Sequence, residues 1–269
     1  MNDQQSRHPP TLPCRPASPQ AGPTRRGERR TVVGVRREWH DARHRYAETG
    51  CVLVDENRGS PAAAVFDALG SDYEEAFAAS EAHRASLAWL LERLPPAARV
   101  LDVGSGTGRP TAATLSAAGH RVLGVDVSPV MVEIASRQVP DAEFRCGDIR
   151  DMPFEDGSFD AVCLYFALLQ MSRAEQSGLL HRLVRVLRPG GLFVLATVPL
   201  DVEDFDGVFM GQSVRVTSFA AQDVVGLVRV AGLTVLSERS VLFTPARPDA
   251  TPEPQLFLHC RCEATAPAD

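Results

Sequence analysis

Residues 99–128 read RVLDVGSGTGRPTAATLSAAGHRVLGVDVS, and the order of residue types in this stretch decides the fold. The apolar run Val100-Leu101-Asp102-Val103 ends in Gly104-Ser105-Gly106-Thr107-Gly108. A short helical segment follows, and a second apolar run, Val122-Leu123-Gly124-Val125, ends in Asp126. This pattern predicts a strand, a glycine-rich turn, a helix and a second strand tipped by a carboxylate. Such a unit binds an adenosine-containing ligand at the carboxyl ends of its strands.

The glycines let the chain turn sharply and keep Cβ atoms away from a ligand. A carboxylate at 126 can accept hydrogen bonds from both hydroxyls of a ribose. Spacing separates two ligand classes. A dinucleotide fingerprint, G-x-G-x-x-G, would place its third glycine at 109, where Arg109 stands; the glycines fall at 104, 106 and 108 instead. Asp102, just before the turn, would repel a diphosphate and hold an ammonium group.

With those residues in place, the chain resembles a known family. D-x-G-x-G-x-G followed by an acidic strand end is similar to motif I of class I S-adenosylmethionine-dependent methyltransferases. Four further segments resemble that family in order: Asp126-Val127-Ser128-Pro129-Val130-Met131, Cys146-Gly147-Asp148-Ile149, Phe159-Asp160-Ala161-Val162 and Leu187-Arg188-Pro189-Gly190-Gly191-Leu192. The resemblance as a whole covers roughly residues 62–262. The resemblance implies an α/β, doubly wound, Rossmann-like sheet of seven strands, six parallel with the last antiparallel, behind an N-terminal helical lid. It implies S-adenosylmethionine as cofactor, held by Tyr73, Asp102, Gly104, Ser105, Gly106, Asp126, Val127, Met131, Asp148 and Ile149. Asp148 would accept the adenine amino group, the Ile149 N–H would face a ring nitrogen, and Val127 and Met131 would pack on the adenine.

Composition narrows the function classes. The chain has 269 residues, 44% of them hydrophobic, enough for a sizeable core. No run of 18 apolar residues occurs, so no membrane span is expected. Every basic residue is arginine, which excludes lysine Schiff-base chemistry. The net charge of −6 is uneven: residues 1–45 hold ten arginines against four acids, and the remainder is acidic. The acidic remainder argues against a broad nucleic-acid surface, whereas the basic arm could touch an anion or lie solvated. Cys14, Cys51, Cys146, Cys163, Cys260 and Cys262 form no C-x-x-C and no zinc spacing. The arginine-rich start lacks an apolar core for export and holds too many prolines for a transit helix. A reducing cytoplasm is the expected compartment.

The expected organisation is a disordered Pro/Arg-rich arm at 1–37, a helical cap at 38–98, the cofactor-binding domain at 99–262 and a tail at 263–269. A short helix is possible near Trp39 to Ala47. Residues 61–94 read as helix, broken at Gly70-Ser71, with Ser71 or Asp72 as cap of the second half. Strands are expected at 99–103, 121–126, 142–146, 159–165, 192–198, 233–243 and 255–262, and helices at 110–118, 129–138, 173–187 and 218–231. Residues 200–217 read as an irregular insert.

Methyl transfer needs donor and acceptor held in line and, for some acceptors, a base. His83 is the candidate base, against a solvent-facing role. Tyr165 points where an acceptor would sit, against anchorage in the core. No metal site is expected: His40 and His44 share i,i+4 spacing but lack a third ligand. His120 and His181 read as structural or exposed, and His259 as a strand residue. Phe205, Val208, Phe209, Met210 and Arg215 follow the fifth strand, where the family's insertions line an acceptor pocket. The expected partner is a small-molecule acceptor. The alternatives are nucleic-acid methylation through the basic arm, non-catalytic cofactor binding and a nicotinamide oxidoreductase.

Overall fold

The computed structural model describes residues 61–263. The basic arm, the segment around Trp39, His40 and His44, and all of the tail but Glu263 lie outside them. The element order is α1 Pro61–Leu69, α2 Ser71–Phe77, α3 Glu81–Leu91, β1 Arg99–Val103, α4 Thr111–Ala117, β2 Arg121–Asp126, α5 Pro129–Gln138, β3 Glu143–Cys146 and β4 Phe159–Tyr165. There follow α6 Arg173–Arg185, β5 Leu187–Thr197, β6 Val202–Phe209, β7 Gln212–Ser218, α7 Ala221–Val230, β8 Leu233–Phe243 and β9 Glu253–Cys262.

Seven strands form one sheet in the order β3-β2-β1-β4-β5-β9-β8. β1 pairs in parallel with β2 and β4, and β4 with β5, while β9 runs antiparallel to both β5 and β8. β8 therefore points the same way as the first five strands, giving six parallel strands and one reversed. The strand order turns back between β1 and β4, and ligands of such sheets sit at the carboxyl ends beside that point.

Period-two alternation sends neighbouring strand residues to opposite faces. Leu101, Val103, Val162, Leu164, Phe193 and Leu195 pack with α6 and α7 through Leu179, Leu183, Val224 and Val228. Val100, Val122, Ala161, Val194 and Phe257 pack on the other face with α3 and α4 through Leu87, Leu90, Ala112 and Leu115. Both faces are covered, so the central strands read as continuous apolar runs.

Three details depart from the sequence expectations. Neither Ser71 nor Asp72 caps α2; its N-cap is Gly70, without a side-chain bond. A second break creates α3, where Ser80 Oγ accepts the His83 N–H at 3.2 Å. The 200–217 insert is a regular hairpin, β6 paired antiparallel with β7. Its two-residue turn, Met210-Gly211, has both φ angles positive, 50° and 83°. That is the geometry strand twist favours in tight hairpins, and methionine in place of Asn or Asp hid it. The hairpin folds back onto α1, where Val214 buries with Val65 and Leu69 against Phe66, Tyr73 and Phe209.

Candidate active site

A cleft opens at the carboxyl ends of β1 and β4. Its floor is Val103, Gly104, Gly106 and Asp126, one side is Met131 and Gly147 to Arg150, and its roof comes from α1, α2 and the hairpin.

The glycine-rich turn is held by its own backbone. The N–H groups of Gly104 and Ser105 donate to Val125 O at 2.8 and 3.1 Å, and Gly108 N–H donates to Ser105 O at 2.9 Å. Gly104, Gly106 and Gly108 all have positive φ. A Cβ on Gly104 would lie 2.5 Å from Ala167 Cβ, whereas one on Gly106 would meet nothing within 4 Å and project into open space. The first glycine is required by packing and the second leaves room for a ligand.

Asp126 is buried at the tip of β2. Its Oδ2 accepts the Gly106 N–H at 2.8 Å and its Oδ1 the Ser128 N–H at 2.9 Å. Burial raises its pKa despite those donors. The two bonds fix the plane of the carboxylate and leave further lone pairs for ligand hydroxyls. Asp67, unnoticed in the sequence, reaches from α1 to accept from Ser128 Oγ at 2.5 Å and Val130 N–H at 3.3 Å. The cap is thus tied to the carboxyl end of β2.

Asp102, on β1 two residues before the first glycine, is 2% exposed, and neither it nor Ser105 is among the residues that line the cleft. Among the described residues Asp102 Oδ2 has no hydrogen-bond partner. Burial first, and the Asp126 charge second, raise its pKa to about 8. A buried carboxylate without a counter-charge is costly. An amino acid ammonium fits that deficit, and a diphosphate would worsen it. Ser105 is also buried, and its Oγ has no partner among the described residues.

Of the other sequence candidates, Tyr73, Val127, Met131, Asp148 and Ile149 all line the cleft. Asp148 is already engaged by Arg150, whose Nη2 lies 2.6 Å from Oδ2. That bond holds the Asp148 pKa below its usual range. Arg150 also pairs with Glu175. Burial, then the charges of Glu253 and Asp126, push the Tyr73 hydroxyl well upward, so it stays protonated.

Tyr165 lines the cleft, but its hydroxyl is bound to Ser86 Oγ at 2.8 Å, and Ser86 Oγ in turn bonds His259 Nε2 at 2.8 Å. It is anchored in the core, the alternative weighed above. His83 is half-buried rather than solvent-facing. Its Nε2 bonds Thr111 Oγ1 at 3.1 Å, its ring lies 4.0 Å from that of Tyr165, and burial lowers its pKa to about 4. It is absent from the cleft lining. His120 Nδ1 accepts the Ala98 N–H, and His181 is exposed. Phe209 lines the cleft, Met210 packs beside α1, Val208 is exposed, and Arg215 pairs with Asp206 on the surface. Among the described residues no cluster of His, Cys, Asp or Glu could hold a metal ion.

Among the cleft residues that the sequence reading passed over, Phe166 and Glu253 stand out. Phe166, directly after β4, carries a positive φ of 59° and donates its N–H to Ala196 O at 2.7 Å. This strained conformation stands at the mouth of the site. Glu253, the first residue of β9, is a buried acid in the cleft wall. Nothing in its local sequence marks it.

Residues 100–191 match the family model described as a methyltransferase domain. This segment is similar to a methyltransferase domain. The chain is 44% identical over 101 residues to a demethylmenaquinone methyltransferase of Beutenbergia cavernae, covering 38% of this chain and 41% of that protein. It is also 31% identical over 176 residues to the O-methyltransferase cnsE of Penicillium expansum, covering 61% of each. The chain thus spans under two thirds of the length of these curated relatives. The domain's fold is shared with 1,6-didemethyltoxoflavin-N1-methyltransferase of Burkholderia thailandensis, solved with 1,6-didemethyltoxoflavin and S-adenosylhomocysteine (24% identity, TM-score 0.58, 79% of this chain and 93% of that one). It is shared as well with the [4+2]-cyclase SpnF (21% identity, TM-score 0.51, 87% and 96%). The fold alone therefore does not fix the reaction, and the side chains of the cleft must.

Proposed function

We propose that the protein transfers a methyl group from S-adenosylmethionine to a small-molecule acceptor. The observation that carries this reading is the pair of buried carboxylates flanking the glycine-rich turn. Asp102 is unpartnered and suited to an ammonium, and Asp126 is oriented by two backbone donors and suited to a ribose. When bound, the cofactor supplies a methyl group on a sulfonium that leaves as a neutral thioether. Asp102, the turn and Asp126 would hold its amino acid tail and ribose, and Met131, Asp148 and Ile149 its adenine. The roof of α1, α2 and the hairpin excludes water from the reacting end.

A small acceptor is supported by the lining. Phe66, Tyr73, Phe77, Phe209, Val214 and Val216 make the roof apolar. The charged residues of the lining are Asp126, Asp148, Glu253 and an already paired Arg150. That balance disfavours a polyanion, so we infer that nucleic acid is not the acceptor. No helix among the described residues is long and apolar enough to cross a membrane, and we infer a cytoplasmic enzyme.

Incubation with methyl-labelled S-adenosylmethionine and fractionated cell extract tests the reading. Label is expected in the small-molecule fraction. Label confined to RNA would assign a nucleic-acid acceptor, and no labelled product of any size would contradict methyl transfer.

A further inference from the structure

Glu253 stands apart from the nucleotide-binding elements. It begins β9, opposite Phe243 of β8, yet lines the same cleft as Gly104 and Asp126. Aromatic rings surround this end. Tyr73 lies 4.9 Å from Phe77 with planes 30° apart, and Phe77 lies 5.6 Å from Phe243 with planes 27° apart. Phe209 closes in at 6.3 Å from Tyr73 and 6.1 Å from Phe77. These rings pack on one another, and Tyr73, Phe77 and Phe209 give the cleft an aromatic wall against which a flat apolar molecule can lie.

The carboxylate itself is fixed but under-satisfied. Gln255 Nε2 donates to Glu253 Oε1 at 2.8 Å. Among the described residues that line the cleft, Arg150 is the sole cation, and it is committed to Asp148 and Glu175. The second oxygen, Oε2, has no such donor among the described residues and, unlike Asp102 Oδ2, is not among the fully buried atoms, so it stays open to a ligand in the cleft.

We infer that Glu253 recognises the acceptor, and that the acceptor is a flat apolar molecule presenting one hydroxyl to this carboxylate. The inference rests on the methyltransferase reading above. Proton exchange favours a hydroxyl over an ammonium. Burial raises the Glu253 pKa to about 7, so it gains and loses a proton near neutrality, as a base for a neutral O–H must. Tyr73, the titratable group facing it from α2, stays protonated and adds no positive charge. Gln255 and Phe243, which meet it on β9 and β8, are neutral. In the proton step the acceptor O–H bond breaks, the proton passes to a Glu253 carboxylate oxygen, and the electron pair stays on the acceptor oxygen. Glu253 then releases the proton to solvent.

The test uses the full chain saturated with S-adenosylhomocysteine and three probes, 2-naphthol, 2-methoxynaphthalene and 2-naphthylmethylammonium, titrated calorimetrically at pH 8. The naphthol is expected to bind at least ~10-fold more tightly than the other two, the effect of one hydrogen bond to a charged group. That preference is expected to rise between pH 6 and pH 8. Glu253→Gln is expected to bring naphthol within ~3-fold of its ether, with Glu253→Asp keeping part of the preference, while S-adenosylhomocysteine affinity serves as the check that each variant is folded. Equal or undetectable binding of all three probes, tightest binding of the ammonium, or an unchanged preference in Glu253→Gln would overturn the inference while leaving the methyltransferase reading standing. Failure of the wild-type protein to bind S-adenosylhomocysteine would instead overturn that reading, and this inference with it.

Discussion

The two ends of the cleft are built in different ways. The cofactor end is local: β1, the glycine-rich turn, β2 and the loop after β3 supply it from residues 102–150, each at the carboxyl end of a parallel strand. The acceptor end is assembled from α1, α2, the residue after β4, the β6–β7 hairpin and the start of β9, segments that meet only through tertiary packing. A backbone geometry shared by many ligand sites shapes the first. Side-chain packing particular to this chain shapes the second, so substitutions at the two ends should separate cofactor binding from acceptor binding.

The largest effect is expected from Gly106→Val. The new side chain would project into the space open above the turn, and the positive φ of 53° adds ~1–2 kcal/mol of strain. S-adenosylhomocysteine binding should fall below detection by calorimetry while a cooperative melt survives. Retained binding would break the assignment of the cofactor end.

Asp126→Ala should weaken S-adenosylhomocysteine by ~2–4 kcal/mol, because two charge-assisted hydrogen bonds to the ribose are lost. The same substitution orphans the Gly106 and Ser128 N–H groups. Calorimetric titration checks it, and unchanged affinity would place the ribose elsewhere.

The pH dependence of stability should carry the mark of both ends. Burial holds Asp102 at about 8 and Glu253 at about 7 in the native state. Above pH ~4 the unfolded chain has released protons that these two native carboxyls keep. Stability of the unliganded protein should therefore fall as pH rises from ~6.5 to ~8. His83 and His259, held at about 4, act in the opposite sense, but only below pH ~6.5, where their unfolded forms take up protons. Asp102→Asn should flatten the decline by up to ~2 kcal/mol across that window. Melting curves from pH 6 to 8 measure it, and stability that rises with pH there would contradict the burial argument.

The smallest effect is expected at the seam between the ends. Asp67→Ala removes the bonds from Ser128 Oγ and Val130 N–H, and should cost ~1 kcal/mol in a thermal melt. Cofactor affinity should change less than in Asp126→Ala; an equal loss would show that the cap shapes the ribose site.

The same division explains what the sequence made legible. β1, β2 and β4 begin and end where apolar runs and turn residues place them, because buried parallel strands write themselves as continuous Val, Leu and Ala; β8, an edge strand exposed along much of its length, keeps its expected bounds without that signal. Asp102 and Asp126 stood out by their distance from the glycines. Glu253 did not, since a single acid before a strand reads as surface until β9 is known to lie beside β5 with its first residue facing the cap. The hairpin was hidden by Met210 in its turn, and Asp67 by three-dimensional proximity to Ser128 across 61 residues of chain. His83 drew attention as a titratable side chain near the lid, and packing spent it on Thr111 and Tyr165.

Parallel calorimetric titration of the purified protein with S-adenosylhomocysteine and with NAD bears most directly on the central claim, that the glycine-rich turn holds an amino acid tail through Asp102. Saturable binding of S-adenosylhomocysteine, weakened in Asp102→Asn, with no heat from NAD, is the expected result. Binding of NAD alone would contradict the account.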